Sequence, residues 1–454
     1  MNIHRHFLGG VSAAFLAIWP VHAQAQSVTI AGPEILTEIF IPTTLEAFAR
    51  DLGLNIRREV SGDGAFSLLL SDGSGQGANV RFDIRVAESS TAITQFALGE
   101  VDVAVTTRAP KEAELAALGS ARAVSLGRDA MVGVVASNNP VHHITLAQLA
   151  GVVSGEITNW ADLGGPEAAI RLHLLEDGTD QDTLMRDAFF GEAVRRSDVT
   201  LHLSASGVSD AVSADPTALG LSTYSEMGNA RALGLAGPCG LAVRPDRLAI
   251  KNADYPLATP LTMYYRASGL SQMTLNFLRY IESDAVQGPI RQAGFIDGTP
   301  ESVTLTDQGQ RLANAIRVAG RASPTSELRR LVETLEGSER LSVTFRFQPK
   351  SSELDTPSQA LIASFAEELE RGDFDGRKVT LVGFTDGVGT AEQNLAVGRS
   401  RARATEAALR EAAPGLDAEK VELTSNAFGE AMPIACDDTD WGRDVNRRVE
   451  LWVD

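Results

Sequence analysis

The stretch GFTDGVGTAEQNLAVGRSRA, residues 383–402, contains the end of one structural element and the start of another. Its first residues complete an apolar run, KVTLVGF, of the kind that forms a buried strand. Thr385, Asp386 and Gly387 interrupt the run, and Thr390 with Gln393 has the spacing of a capping box. A strand, a short loop and a helix in this order predict a unit of an α/β domain.

The predicted helix, AEQNLAVGRSRARATEAALREA, has faces of different character. Four side chains recur at intervals of 3, 4 or 7 and predict its buried stripe: Leu395, Ala402, Thr405 and Leu409. Asn394 and Arg401 are seven residues apart, and we expect them on another face, where Gly398 leaves an open track. We expect Arg399 and Arg403 to be solvated.

The rest of the C-terminal region continues the α/β pattern. LSVTFRF opens it as a strand, a helix is predicted over residues 357–371, and the strands VELTSNAF and NRRVELWV follow the arginine-rich helix. In the last strand, alternation predicts three inward-facing residues: Val449, Leu451 and Val453. Arg448 and Glu450 are predicted to face outward, and Arg447, at the start of the strand, is predicted to reach the Asp386 loop.

TDGVGTAEQNLAVGRSRA, followed by FGEAMPIACDDTDWGRDVNRRVELWV, resembles the OmpA-like peptidoglycan-binding domain. The resemblance covers residues 340–454 and includes the TD loop, the Asn that opens the helix, the Arg-Ala pair and the closing Asn-Arg-Arg-Val. It departs from the family at Gly398, where serine is frequent. The resemblance implies that one aspartate and one arginine capture the diaminopimelate residue of the peptidoglycan stem peptide. The residues that match the peptidoglycan-binding pattern are Thr385, Asp386, Asn394, Arg401 and Arg447.

The chemistry of this ligand suits the two charged residues. The free end of diaminopimelate carries an ammonium and a carboxylate on one carbon. Asp386 can accept hydrogen bonds from the ammonium, and Arg401 can hold the carboxylate through two parallel N–H bonds, which lysine cannot do. The alternative is an ordinary surface salt bridge between Asp386 and Arg401, worth roughly 0–1 kcal/mol.

The N-terminal region alternates strands with helices, which predicts a second α/β unit. SVTIAG, VDVAVTT, MVGVVAS and LTMYYR are apolar strand candidates, and ITLAQLAGVV and MTLNFLRYIES are amphipathic. FSLLLSD and ANVRFDIRV are period-2 runs on either side of GSGQG, which is typical of a hairpin.

Five phrases in this region, in family order, resemble the periplasmic solute-binding proteins of phosphate-type ABC transporters: SSTAITQFALGEVDVAVTTRAPKEAE, SNNPVHHITLAQLAGVVSGEITNWADLGG, DPTALGLSTY, DYPLATPLTMYY and QGPIRQAGFID. The resemblance covers residues 27–297 and implies a two-lobed, type II-like periplasmic binding protein fold with a ligand cleft between the lobes. The candidate cleft residues are Ser89, Ser90, Thr107, Arg108, Gly178 and Thr179.

The anion-binding loops of that family are altered in this sequence. Pro33 has no N–H to donate, and Glu34 places a negative charge where an anion would lie. In the loop that corresponds to Ser-Gly-Thr, Asp177 replaces the serine, and Asp180 and Asp182 follow. Repulsion between unit charges at contact is about 4 kcal/mol near a surface. We therefore expect either a cleft for another ligand or a preserved fold whose Ser and Thr side chains cap helices.

The composition places the chain in a broad class. It has 454 residues, of which 44% are hydrophobic, and a formal net charge of -19, which argues against binding to nucleic acid. Cys239 and Cys436 either pair across domains or stay free, and we expect free thiols, since sequence alone does not bring their Cα atoms within bridging distance.

The first 25 residues have the pattern of a signal peptide: a short cationic start, an apolar run and Ala23-Gln24-Ala25. The domains we predict are residues 26–300, a two-lobed solute-binding-like domain; 301–339, a helical connector; and 340–454, an OmpA-like domain with a mixed sheet flanked by helices. This organisation predicts export to the Gram-negative periplasm and association with the cell wall.

We identify no motif for catalysis, a metal or a cofactor. His142 and His143 are adjacent in an extended segment and so point to opposite sides, and the group of Asp437, Asp438 and Asp440 lacks EF-hand spacing. We expect these three aspartates to lie in a solvated loop.

Three functions are consistent with the sequence. The first is a non-catalytic periplasmic protein that binds peptidoglycan and presents a solute-binding-like domain with an altered anion site. The second is the receptor of an ABC permease for phosphate or another small anion. The third is an envelope structural or assembly factor that uses the first domain as a protein-binding surface.

Overall fold

The computed structural model describes residues 26–60, 65–72, 80–187, 195–319, 324–348 and 351–454. The predicted signal peptide and the GSGQG turn lie outside these residues. No helix in the described ranges combines the length and the apolar character that crossing a bilayer requires.

The N-terminal unit has two α/β lobes that share one long mixed sheet. Its elements are β1 (Gln26–Gly32), α1 (Ile41–Asp51), β2 (Asn55–Val60), β3 (Phe66–Ser71), β4 (Val80–Val86), α2 (Ser89–Leu98), β5 (Val103–Thr106), α3 (Glu112–Leu118), β6 (Arg122–Val135), β7 (His143–Thr145), α4 (Leu146–Ser154), β8 (Arg171–Leu175), α5 (Asp180–Met185), β9 (Val199–His202), α6 (Ala205–Ser213), β10 (Ala218–Thr223), β11 (Arg231–Ala232), β12 (Gly234–Ala236), β13 (Ala242–Val243), α7 (Arg247–Lys251), β14 (Ala258–Tyr265), α8 (Gln272–Ile281) and α9 (Gln287–Gln292). A π-helical turn, Ile35–Phe40, precedes α1, and two 3-10 turns are Trp160–Leu163 and Asp284–Val286.

The strand order in the long sheet is β2-β3-β4-β1-β5-β14-β6-β10-β8-β9, with β11 also paired to β6. Strands β6 and β14 are antiparallel neighbours at its centre. Lobe 1 is the part whose core includes β1, β3, β4 and α8, and lobe 2 is the part whose core includes β8, β10, α4 and α6. The first half of β6 contributes Val124 and Leu126 to the core of lobe 1, and its second half contributes Val132 and Val134 to the core of lobe 2. These central strands therefore join the two lobes. The predicted hairpin is present as the antiparallel pair β3 and β4.

The C-terminal unit is built on a five-stranded sheet with the order β15-β16-β19-β17-β18. Its elements are β15 (Ser302–Thr304), α10 (Gly309–Val318), α11 (Thr325–Leu335), β16 (Glu339–Arg346), α12 (Thr356–Arg371), β17 (Lys378–Phe384), α13 (Ala391–Ala412), β18 (Glu422–Gly429), α14 (Asp440–Asn446) and β19 (Arg448–Val453). The stretch predicted as a helical connector thus supplies two helices and also an edge strand.

Both faces of this sheet are covered. Val379 and Leu381 of β17 pack in the core formed with α12 and α13. Val382 and Phe384, which point to the opposite face, pack in a second core with α10 and α11. The connector helices therefore cover the second face of this sheet.

This second layer explains why the prediction for Arg448 and Glu450 is wrong. Both are fully buried rather than outward-facing. Arg448 Nε donates to Glu450 Oε1 at 2.7 Å, and Arg311, from the connector, also pairs with Glu450. Burial opposes ionisation, but the surrounding guanidinium groups hold the pKa of Glu450 well below its usual range. Buried charges of this kind require pairing, and here they have it.

The expectation of free thiols is also wrong. Cys239 and Cys436 form a disulfide with a Cα–Cα distance of 5.8 Å, across 197 residues of sequence. The bond joins lobe 2 to the C-terminal unit. Ile434 and Ala435, just before Cys436, pack in the lobe 2 core, and this long-range packing places the two cysteines within bridging distance.

Candidate functional site

Asp386 lies in the loop after β17 and is 9% exposed. Its Oδ2 accepts a hydrogen bond from Arg447 Nη1 at 2.6 Å. Among the described residues it forms no ion pair with Arg401, so the two charges are not a simple salt bridge. Arg447 does reach the loop, as the sequence predicted.

Arg401 is 4% exposed and lies on the side of α13 that faces the protein. Its Nε and Nη2 donate to the backbone oxygen of Ser351 at 3.3 and 3.2 Å, and its guanidinium lies 5.1 Å from the centre of the Phe347 ring. Within the described part of the chain it has no carboxylate partner. Burial, together with the charge of Arg447, lowers the pKa of Arg401, and Asp386 opposes this shift.

Thr385 and Asn394 flank the same loop. Thr385 Oγ1 is buried and has no hydrogen-bond partner among the described residues. Asn394 Nδ2 donates to Glu430 Oε1. Thr390 and Gln393 form the predicted capping box, so α13 does begin directly behind the loop.

Two acidic residues of this site were missed in the sequence. Glu430 follows β18, and Asp437 Oδ2 accepts from Gly387 N at 2.9 Å. Burial, reinforced by the charge of Asp386, raises the pKa of both Glu430 and Asp437. The prediction of a solvated loop is therefore wrong for Asp437, because Asn446 and Gly387 hold it in place, whereas Asp438 and Asp440 are exposed.

A signal for Glu430 was present in the sequence. Strands β17 and β18 are parallel neighbours, so the residues that follow them meet at one edge of the sheet. Asp386 follows the first of these strands and Glu430 follows the second.

The expectation of an open track at Gly398 is wrong. Gly398 is buried against β17, and a Cβ added at Gly383 would lie 2.0 Å from the Gly398 backbone oxygen. The two glycines thus allow close contact between α13 and the sheet. Asn394 and Arg401 share this buried face with Ala402, while Arg399 and Arg403 are exposed as predicted.

The C-terminal site therefore combines two kinds of group. Asp386, Glu430 and Asp437 supply carboxylate oxygens, which accept hydrogen bonds from an ammonium. Arg401 supplies guanidinium N–H groups, which can donate to a carboxylate. Together these groups are complementary to a zwitterion.

In the cleft between the lobes, the donors face a carboxylate of the chain itself. Asp180, the first residue of α5 in lobe 2, accepts from Ser89 N at 3.2 Å (Oδ1) and 3.3 Å (Oδ2). Ser89 Oγ donates to the same carboxylate, as does Thr107 Oγ1 at 2.7 Å. Arg108 Nε lies 3.5 Å from Asp180 Oδ1. Asp180 thus spans the cleft from lobe 2 to lobe 1.

The other predicted cleft residues do not converge on this point. Gly178 N donates to Asp182 Oδ2 at 3.1 Å, and Thr179 caps α5 by accepting from Asp182 N at 3.2 Å. Ser90 is exposed. Of the six candidates, the structure brings together Ser89, Thr107 and Arg108.

Glu88 completes the cleft contact. Its Oε2 accepts from Asp180 N at 2.7 Å. Burial, with the neighbouring charge of Asp180, raises the pKa of Glu88 to about 7. Two carboxyl groups therefore lie together where the resemblance to phosphate-binding proteins predicts an anion.

No group of three or more His, Cys, Asp or Glu side chains in the described ranges has an arrangement that could hold an ion. His142 and His143 are both exposed, with ring centres 6.5 Å apart.

Known protein families match the N-terminal and the C-terminal regions of the chain separately. The profile of the PBP superfamily domain matches residues 55–285, half of the chain, and the chain belongs to this superfamily. The profile of the OmpA family matches residues 346–447. The matched families are families of non-catalytic binding proteins.

Individual relatives match one unit each. Protein SphX of Synechococcus elongatus is 27% identical over 247 residues, which is 51% of this chain and 73% of SphX. The peptidoglycan-associated lipoprotein of Pseudomonas putida is 36% identical over 118 residues, which is 26% of this chain and 66% of the lipoprotein. A putative phosphate ABC transporter substrate-binding protein from Clostridium perfringens, solved with bound phosphate, aligns with a TM-score of 0.47 at 21% identity, over 60% of this chain and 99% of that protein.

Proposed function

We propose that this is a non-catalytic periplasmic protein that binds peptidoglycan through residues 340–454 and presents residues 26–300 at the cell wall, with residues 301–339 as the connector. The observation that carries the proposal is Arg401, a buried guanidinium with no carboxylate partner in the described part of the chain, close to the Asp386 loop. The similarity to a peptidoglycan-associated lipoprotein supports the choice of ligand.

The ligand we propose is the free end of diaminopimelate in the stem peptide. Its ammonium binds Asp386, next to Glu430 and Asp437, and its carboxylate binds Arg401. Thr385 Oγ1, which lacks a partner among the described residues, supplies a further hydrogen bond. Asn394 positions Glu430 through its side-chain amide.

The test is retention of the purified protein on isolated sacculi. Asp386→Ala and Arg401→Ala each remove one charged hydrogen-bonding partner, and we expect each to reduce retention about tenfold or more. Arg403→Ala is the matched control, because Arg403 lies on the same helix but is exposed. Circular dichroism and thermal unfolding verify that each variant is folded. Unchanged retention of folded Asp386→Ala and Arg401→Ala would contradict the proposal.

We propose further that the cleft of the first domain has an altered anion site, in which Asp180 takes the place of a free anion. Its carboxylate meets Ser89, Thr107 and Arg108, the three candidate residues that converge. This contact argues against a receptor that delivers phosphate to a permease.

A further inference from the structure

A cavity of about 160 Å³ lies where three parts of the chain meet: the segment 242–254 of lobe 2, the connector, and the C-terminal sheet. A single buried water needs only about 10–15 Å³. The cavity therefore has room for a small molecule of several non-hydrogen atoms. It is lined by different residues from those of the interlobe cleft and the Asp386 loop.

Four residues of the lining carry buried N–H groups with no hydrogen-bond acceptor among the described residues. These groups are Asn252 Nδ2, Gln308 Nε2, Arg311 Nε and Arg340 Nε. Asn252, Gln308 and Arg340 are only 7%, 8% and 5% exposed. Because a buried donor without an acceptor is destabilising, this set indicates that an acceptor belongs in the cavity.

The acidic residues of the lining already have partners. Asp254 Oδ1 accepts from Arg346 Nη2 at 2.8 Å, Asp307 Oδ2 accepts from Thr304 Oγ1 at 2.7 Å, and Asp246 Oδ1 accepts from Ala249 N at 2.8 Å. The unused hydrogen-bonding capacity of the cavity is therefore on the donor side. A ligand that presents oxygen acceptors matches this imbalance.

The remaining residues of the lining indicate that the rest of the ligand is apolar. Val243, Leu248, Val303, Leu341 and Ile434 provide aliphatic surface next to the donors. A ligand that fits both parts has a carboxylate at one end and a short hydrocarbon chain at the other.

We propose that this cavity is a binding site for a small aliphatic carboxylate, held by Gln308, Asn252, Arg311 and Arg340. Arg340 Nε lies 3.4 Å from Glu450 Oε2 without a hydrogen bond, so its N–H group is free to donate to a ligand. The exposed charged residues of the lining are of both signs, Arg244, Asp246 and Asp307, so selectivity for a carboxylate rests on the buried donors. Because lobe 2, the connector and the C-terminal sheet all line the site, bound carboxylate stabilises their junction. This proposal does not depend on peptidoglycan binding.

The experiment uses the full mature chain and calorimetric titration with butyrate and with 4-methylpentanoate. The charge-reversed probe is butylammonium, and inorganic phosphate is the probe for the interlobe cleft. We expect both carboxylates to bind and butylammonium not to bind. We expect Gln308→Glu to weaken carboxylate binding about tenfold or more, because it replaces a donor by a like charge.

Gln308→Glu preserves the hydrogen bond from Arg311 to residue 308. Gln308 Oε1 accepts this bond in the wild type, and a glutamate oxygen can do the same. Gln272→Glu, the same change at an exposed position of α8, is the control and is expected to bind butyrate like the wild type. Three results would each overturn the proposal: no carboxylate binding, equal binding of butylammonium, or unaltered butyrate affinity in folded Gln308→Glu. Retention on sacculi, measured in parallel, separates a failure here from a failure of the peptidoglycan site.

Discussion

The interlobe cleft and the C-terminal site both contain donors suited to a carboxylate or phosphate, but different groups face those donors. In the cleft, Ser89, Thr107 and Arg108 meet the Asp180 carboxylate. In the C-terminal site, Arg401 meets a backbone oxygen and an aromatic ring. A set of donors indicates an external ligand only when the chain does not itself supply the matching acceptor.

The difference has a simple physical basis. A carboxylate carried by the chain has a high effective concentration at its donors, and a free anion must displace it. A backbone oxygen carries only a partial charge, so a ligand carboxylate competes well for Arg401. By this criterion the donors of the cleft are occupied by the protein, whereas the guanidinium of Arg401 is available to a ligand carboxylate.

The largest expected effect is a gain of phosphate binding when the Asp180 carboxylate is removed from the interlobe cleft. Asp180→Ala frees Ser89 N and the Ser89 and Thr107 hydroxyls, and we expect inorganic phosphate then to bind. Saturating phosphate at about 100 times its Kd stabilises a protein by about 2.7 kcal/mol, which thermal unfolding would detect. The wild type should show no such shift.

The control for this change is Asp210→Ala, which removes an exposed aspartate of α6 from the same lobe. It should behave as the wild type does. If wild-type protein already binds phosphate as well as Asp180→Ala, Asp180 does not take the place of an anion and the contrast between the two sites fails.

A smaller effect is expected when the charge of Arg401 is kept and its shape is changed. Arg401→Lys preserves one positive charge but loses the planar pair of N–H donors, so we expect about tenfold weaker binding of a diaminopimelate-containing stem peptide. Calorimetric titration measures the loss. Arg403→Lys, at an exposed position, should bind normally, and full affinity in Arg401→Lys would show that the paired N–H donors of the guanidinium are not needed.

The sequence predicted local features of the C-terminal site well. The loop after β17 and the capping box at Thr390 depend on a few consecutive residues, and Arg447, predicted at the start of the last strand, contacts Asp386 across 61 residues of sequence. The assignment of Arg448 and Glu450 failed because it assumed that one face of β19 meets solvent. Connector helices cover that face, and alternation along a strand does not tell whether its second face is also covered.

Long-range pairing limited the prediction in the same way. The repulsive effect of Asp180 on a free anion was anticipated, but its contact with Ser89 depends on how lobe 2 meets lobe 1. The disulfide likewise depends on the packing of residues 434 and 435 against lobe 2. Neither the Asp180–Ser89 contact nor the Cys239–Cys436 distance can be predicted from the spacing of these residues along the chain.

The smallest expected effect is a dependence of stability on pH through Glu88. Its pKa is about 7 in the folded protein, above the ordinary 4.5, so the folded state binds more protons than the unfolded state between these values. The free energy of unfolding should therefore fall as the pH rises from about 4.5 to about 7. Glu88→Gln keeps an oxygen that can accept from Asp180 N and removes the titration, so this contribution should disappear in urea unfolding measured across that range. Glu100→Gln, at an exposed position after α2, should keep it, and an unaltered slope in Glu88→Gln would show that Glu88 does not hold a proton beside Asp180.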